Sequence, residues 1–150
     1  MLKDQLQEEL KQAMLAREEL RKSVLRMLIT GITYYEINKG GAGYVATDED
    51  VLAVVDKQVK QRKDSIEQYE AAGRLDLADK EKEEMAMLQA YLPAQMSDEE
   101  VRSIVKEALS SLGSVTQADM GRIMGAIMPK VKGKADGSIV GKIVREEISN

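Results

Sequence analysis

An all-α protein is the fold this sequence predicts, with a bundle of long helices over residues 1–94 and a small three-helix domain over 95–150. Three observations carry that expectation. Apolar residues recur at helical spacing: Met120, Ile123, Met124 and Ile127 fall at i, i+3, i+4 and i+7 and make one stripe. Charged residues are 32% of the chain and rich in Lys and Glu, a composition that suits long solvated helices. Cap signals precede the stripes: Thr47 stands before three acids, Ser97 is followed by Glu100, and Thr116 by Asp119. Phe and Trp are absent and the 3% of aromatic residues are all tyrosine, so the core must come from Leu, Ile, Val, Met and Ala.

In chain order, Leu2, Leu6, Leu10, Ala13 and Met14 form the first stripe. No Gly or Pro interrupts the chain near Arg17-Glu18-Glu19, so residues 2–37 read as one helix or two. Leu20 to Ile37 is apolar on more than one side and belongs at the centre of the bundle. Arg26 is its only charge between Lys22 and Glu36 and reads as a surface arginine. Gly40-Gly41-Ala42-Gly43 ends that helix and turns the chain; no Lys-Ser or Lys-Thr pair follows, so it is not a P-loop.

A long helix starts at Asp48 with the stripe Val51, Val55, Val59, Ile66 and Tyr69. Arg62 fills the gap between Val59 and Ile66. It reads either as an anion contact or, preferably, as a snorkelling arginine paired with Asp64 or Glu67. Gly73 ends this helix, and Arg74 to Tyr91 returns with Leu77, Ala78, Met85, Leu88 and Leu92 inward. The alternating charges of Lys80 to Glu84 read as a solvated face. Pro93 closes the segment, and Leu92 to Met96 marks a domain boundary. Beyond it come Val101, Ile104, Val105, Ala108 and Leu109, then the Thr116 helix, then Ser138 to Ile148 with Ile139, Val140, Ile143 and Val144. Gly121 and Gly125 would let another backbone come close to one side of the Thr116 helix, and Pro129 is expected to end or bend it near Met128.

Histidine and cysteine are both absent, which removes histidine triads, thiol nucleophiles, disulfides and ordinary zinc sites. No catalytic residues, metal or cofactor are therefore expected. The net charge of −4 argues against a globally basic nucleic-acid binder and leaves RNA contact to a local patch. One such patch exists. Lys130, Lys132 and Lys134 alternate with small or apolar residues, and no acid falls between Asp119 and Asp136. Ammonium groups and loop amides there suit phosphate oxygens, and Arg122, Lys142 and Arg145 on the flanking helices would widen the surface. Asp136 and Gly137 look like a cap for the last helix. The opening Met1-Leu2-Lys3-Asp4-Gln5 lacks a secretory apolar core, and no apolar run approaches the ~20 residues of a membrane helix. A soluble cytoplasmic protein is expected, with no membrane partner.

The stretch DMGRIMGAIMPKVKGKADG, together with KQRKDS at Lys60–Ser65, RLDLADKE at Arg74–Glu81 and AYLP at Ala90–Pro93, resembles the YqeY-like family over nearly the whole chain. That family is similar to the C-terminal tail domain of the B subunit of the tRNA-dependent amidotransferase. The resemblance implies an all-helical protein in two parts, the second a tail-like domain, and a bend between the first helices. It implies a link to tRNA chemistry, and association with glutamine-dependent carbon–nitrogen ligases without the residues for that reaction. The expected function is a non-catalytic accessory that binds tRNA or a tRNA-modifying enzyme such as an amidotransferase complex. The alternative is a protein–protein adaptor that grips a partner helix through Met120, Met124 and Met128.

Overall fold

The computed structural model describes residues 1–149, and among these the chain forms seven α-helices, one 3-10 turn and no strand. It divides into two compact units, Met1–Leu92 and a second beginning at Pro93.

The first unit holds four helices: α1 (Leu2–Leu15), α2 (Glu19–Gly40), α3 (Asp48–Ala71) and α4 (Leu75–Gln89). Its core is aliphatic, built on Leu6, Leu25, Leu28, Ile32, Val51, Val55 and Leu88, with Met14 of the first predicted stripe turned outward. α1 and α2 are separate helices, and the break needs neither Gly nor Pro. Arg17 takes φ 57, its amide donates to Met14 O (3.3 Å), and the Glu18 amide donates to Ala13 O (3.0 Å). These two bonds close a Schellman motif around a left-handed arginine, a conformation that costs a non-glycine residue about 1–2 kcal/mol. Gly73 (φ 73) closes α3 the same way: its amide donates to Glu70 O (3.1 Å) and that of Arg74 to Tyr69 O (2.8 Å). α4 then packs along α3.

Arg62 corrects the sequence expectation. It is 6% exposed, and its partner is neither Asp64 nor Glu67 but Glu84 of α4, itself 8% exposed, with Nη2 3.3 Å from the carboxylate. Glu84 is thus drawn out of the solvated face expected for Lys80 to Glu84. Arg62 Nη2 also donates to Met27 Sδ (3.4 Å), while among the described residues Arg62 Nε and Gln58 Oε1 find no partner. Gln58 Nε2 donates to Met27 O (3.2 Å) across the α2–α3 contact. Gly31 makes that approach feasible, since a Cβ there would stand 2.5 Å from Gln58 Nε2.

Asp50 serves two purposes at the start of α3. Thr47 Oγ1 accepts from its amide (3.2 Å) and its carboxylate accepts from the Thr47 amide (3.0 Å), completing a capping box. The same carboxylate accepts from Lys39 Nζ (2.8 Å) and from the hydroxyls of Tyr44 (2.6 Å) and Tyr35 (2.8 Å). Nearby, Glu36 accepts from the Ala46 amide (2.8 Å) and from Lys3 Nζ (2.7 Å). The glycine-rich turn is thereby fixed to α2 and α3 from both ends. The Lys39 ammonium, then Tyr44, the Thr47 amide and Tyr35 hold the Asp50 carboxyl far below the usual carboxylate range. The Ala46 amide and then Lys3 lower that of Glu36.

A depressed carboxyl contributes stability that is fully present above its unfolded value, about 3.9 for Asp, and is lost as pH falls below that toward the folded value. The urea midpoint of the protein is therefore expected to drop between pH 6 and pH 3. Asp50→Asn should lower the midpoint at pH 6 and flatten the drop, and an unchanged slope in that variant would remove Asp50 from the account.

The second unit contains α5 (Asp98–Leu112), α6 (Met120–Val131) and α7 (Gly137–Ser149). Val101, Val105, Ile123, Ile127, Val131, Val140, Ile143 and Val144 form its core. Ser97 and Glu100 make the expected capping box ahead of α5. Thr116 and Asp119 make one too, but around a 3-10 turn, Gln117–Asp119, that feeds into α6. Ile139 of the last predicted stripe faces outward. Gly121 and Gly125 do not mark a close helix approach, because a Cβ on either would meet nothing within 4 Å.

Candidate nucleic-acid interface

The basic stretch lies where α6 hands over to α7. Pro129 does not end α6, which continues to Val131. The carbonyl that loses its donor is that of Gly125, four residues back on an exposed part of the helix where water can replace the missing amide. Lys130 therefore sits in the last helical turn rather than in a loop. Lys132 leaves the helix with ψ 127, Gly133 takes φ 76, and Lys134 follows in the turn. All three lysines are exposed.

The turn has a fixed shape. The amides of Lys134 and Ala135 both donate back to Val131 O (2.8 and 3.0 Å). These two amides are occupied and do not share in contact with an anion, which narrows the expectation that loop amides would take part. The segment before α5 braces the turn from outside: the Met96 amide donates to Lys134 O (2.8 Å) and Gln95 Nε2 to Gly133 O (3.1 Å). Asp136 then caps α7, its Oδ1 accepting from the Ser138 amide and hydroxyl, each at 3.0 Å.

The six predicted residues do not form one continuous patch. Lys132 and Lys134 share the turn, and Lys130 stands just before it in the last turn of α6. Arg122 lies in the first turn of α6, about 12 Å along the axis from Lys130 at ~1.5 Å per residue, and its guanidinium is 3.7 Å from Asp119. Lys142 and Arg145 line an open depression with Arg102, Glu146 and Ser149. Arg102 was not among the sequence candidates. It divides its guanidinium between Glu146 (2.8 Å) and Glu147 (2.7 Å), and the pairing lowers the carboxyl of Glu146. That depression therefore carries mixed charge. Lys134 borders a different one, lined by Ala94, Gln95, Met96, Glu100, Ser103 and Ile104. Pairing through a long side chain to the end of another helix leaves no local signal, which is why Arg102 was missed.

Met120, Met124 and Met128 are half-buried and pack against the aliphatic core of this unit. The stripe that would have served an adaptor is used within the fold.

The fold and this surface define a class: an all-α protein without histidine or cysteine, with an exposed basic turn in its second unit. The chain belongs to the YqeY-like protein family, whose model matches residues 3–148. It is similar to the protein named "Altered inheritance of mitochondria protein 41, mitochondrial" from several fungi. The Vanderwaltozyma polyspora protein is 35% identical over 122 residues, covering 77% of this chain and 64% of that protein. The Pyrenophora tritici-repentis protein is 31% identical over 148 residues, covering 95% and 78%. The Lachancea thermotolerans protein is 39% identical over 90 residues, covering 58% and 46%. The chain thus spans between about half and four fifths of these relatives' own lengths.

The relatives' names overturn one expectation. They are named as mitochondrial, against the cytoplasmic location read from the sequence. That reading rested on the missing secretory core and membrane-length run, which bear on secretion and membrane crossing and do not distinguish cytoplasm from mitochondrion. Among the described residues no helix is long and apolar enough to cross a membrane.

Proposed function

We propose that this protein is a non-catalytic RNA-binding accessory, acting on tRNA or on an enzyme that modifies it, and that the turn from Lys130 to Lys134 is its phosphate contact. The observation that carries this reading is the exposure of three lysines within five residues, on a braced turn free of acids, in a chain of net charge −4. A turn held by Met96 and Gln95 presents its charges without first having to be ordered, which lowers the entropic cost of binding. The family's similarity to the amidotransferase tail domain supports tRNA as the RNA and an amidotransferase-type complex as the setting. Lys142 and Arg145, which line a separate depression beside Glu146, would add a second contact rather than extend this one. Arg122 contributes little, because Asp119 stands next to it.

Phosphate contacts hold without reading sequence, so binding is expected to be strongest at low salt and similar across tRNAs. Replacing Lys130, Lys132 and Lys134 together by alanine should leave helix content unchanged. It should reduce the slope of log affinity against log salt by roughly two to three, at about 0.7–0.9 per phosphate contact. Filter binding or fluorescence anisotropy with labelled tRNA measures both. Absence of binding by the unaltered protein at low salt, or equal binding by the triple variant, would refute the assignment.

A further inference from the structure

The side chain of Met27, on α2, belongs to two environments at once. It is 52% exposed, yet its sulfur lies 3.4 Å from Nη2 of the buried Arg62. Its carbonyl accepts from Gln58 Nε2 (3.2 Å), so two polar residues one turn apart on α3 hold position 27 by sulfur and backbone alike. The guanidinium is short of acceptors. Glu84 stands 3.3 Å from Nη2, the thioether is a weak acceptor, and Nε has no partner among the described residues. The Nε hydrogen and one Nη2 hydrogen of an arginine lie on the same edge of the planar group, a fork shaped for oxygen.

One chemical step turns the weak acceptor into an oxygen acceptor. We infer that Met27 is a site of oxidation by hydroperoxides, and that Arg62 holds the sulfoxide. A thioether sulfur carries two lone pairs. With one accepting from Arg62, the other remains for a peroxide arriving from solvent. That lone pair attacks one peroxide oxygen. The S–O bond forms as the O–O bond breaks, and the departing hydroxide takes the proton of the transferred oxygen to become water. Sulfur loses two electrons and the peroxide gains two, so no further reactant is needed. Cysteine, the more reactive sulfur, is absent, which leaves such chemistry to the methionines.

The setting of Met27 reverses the usual consequence of that step. A methionine sulfoxide ordinarily disrupts a core, because it brings a polar group among apolar ones. Here the new oxygen arrives beside a buried donor that lacks partners, and a few rotations of the flexible methionine chain bring it to the fork. Oxidation should therefore fasten α2 to α3 rather than loosen them.

The inference is independent of the RNA reading and is tested on the full chain. Treatment with millimolar hydrogen peroxide followed by peptide mass mapping should find the sulfoxide at Met27 at least as early as at Met14, which is 47% exposed. The tyrosines all lie in the first unit and report its urea midpoint. Oxidation of the parent should leave that midpoint unchanged or raise it, relative to the peroxide effect on Met27→Leu, which measures what the other methionines contribute. The role of the guanidinium is isolated by Arg62→Met, Glu84→Leu, an apolar pair of similar volume that should fold. In that variant peroxide should lower the midpoint by roughly 1 M, since the sulfoxide meets no donor. A Met27 that stays reduced while Met14 is oxidised overturns the inference. So does an equal fall in midpoint in the parent and the double variant.

Discussion

Replacing Arg62 by alanine is expected to be among the most damaging single changes in the first unit, costing about 3–5 kcal/mol, because it leaves the Glu84 carboxylate buried without its counter-charge. With a urea dependence of roughly 1–3 kcal/mol per molar, the midpoint should fall by about 2 M. The loss does not mean that the ion pair stabilises the fold relative to an apolar contact. Two charges have been taken out of water, and Arg62 Nε and Gln58 Oε1 are both left without partners among the described residues, so the desolvation is incompletely offset. The double variant Arg62→Met, Glu84→Leu is accordingly expected to match the parent or exceed it by about 1–4 kcal/mol. If the double variant is as unstable as Arg62→Ala, the pair is a net stabiliser and this account of it is wrong.

Ile127→Ala is expected to unfold the second unit and spare the first. Ile127 is fully buried among Ile123, Val131 and Val140, and truncation of a buried isoleucine costs about 2–5 kcal/mol. A unit of this size has only a few kcal/mol to lose. The sequence supplies its own reporter, because all the tyrosines, Tyr34, Tyr35, Tyr44, Tyr69 and Tyr91, precede Pro93. Circular dichroism should show an early loss of part of the helix content, while tyrosine fluorescence keeps the parent midpoint. If both signals move together, the two units unfold as one.

What was legible in the sequence was local. Thr47, Ser97 and Thr116 cap through atoms two or three residues away, so residue type and spacing were enough to place the starts of α3, α5 and the 3-10 turn that leads into α6. The stripe Met120, Ile123, Met124, Ile127 likewise needed only the helical period to predict an inward face. What was not legible depends on partners from elsewhere in the chain. Arg62 looks the same on paper whether it reaches Glu67 on its own helix or Glu84 on the next. Asp50 reads as a first-turn acid, and nothing nearby in sequence reveals that Lys39, Tyr35 and Tyr44 converge on it. The basic turn was found from its composition, but its bracing by Met96 and Gln95 and the dispersal of Arg122, Lys142 and Arg145 around the unit follow only from packing. That α6 runs on past Pro129 to Val131 was not legible for another reason: the cost of a missing amide depends on whether water can reach the carbonyl left behind.

The left-handed arginine between α1 and α2 has a consequence for which substitutions the chain can accept. At most exposed positions almost any polar residue is acceptable, and exposure predicts permissiveness. Arg17 is exposed, yet the direction in which α1 leaves α2 is set by the sign of its φ and by two backbone bonds, not by what its side chain touches. The alphabet permitted there is ordered by backbone stereochemistry: glycine first, asparagine and aspartate next, unbranched side chains after them, and valine, isoleucine and proline last. A saturation library at this site would rank opposite to one at a neighbouring solvent position such as Lys11, where glycine would be among the worst choices.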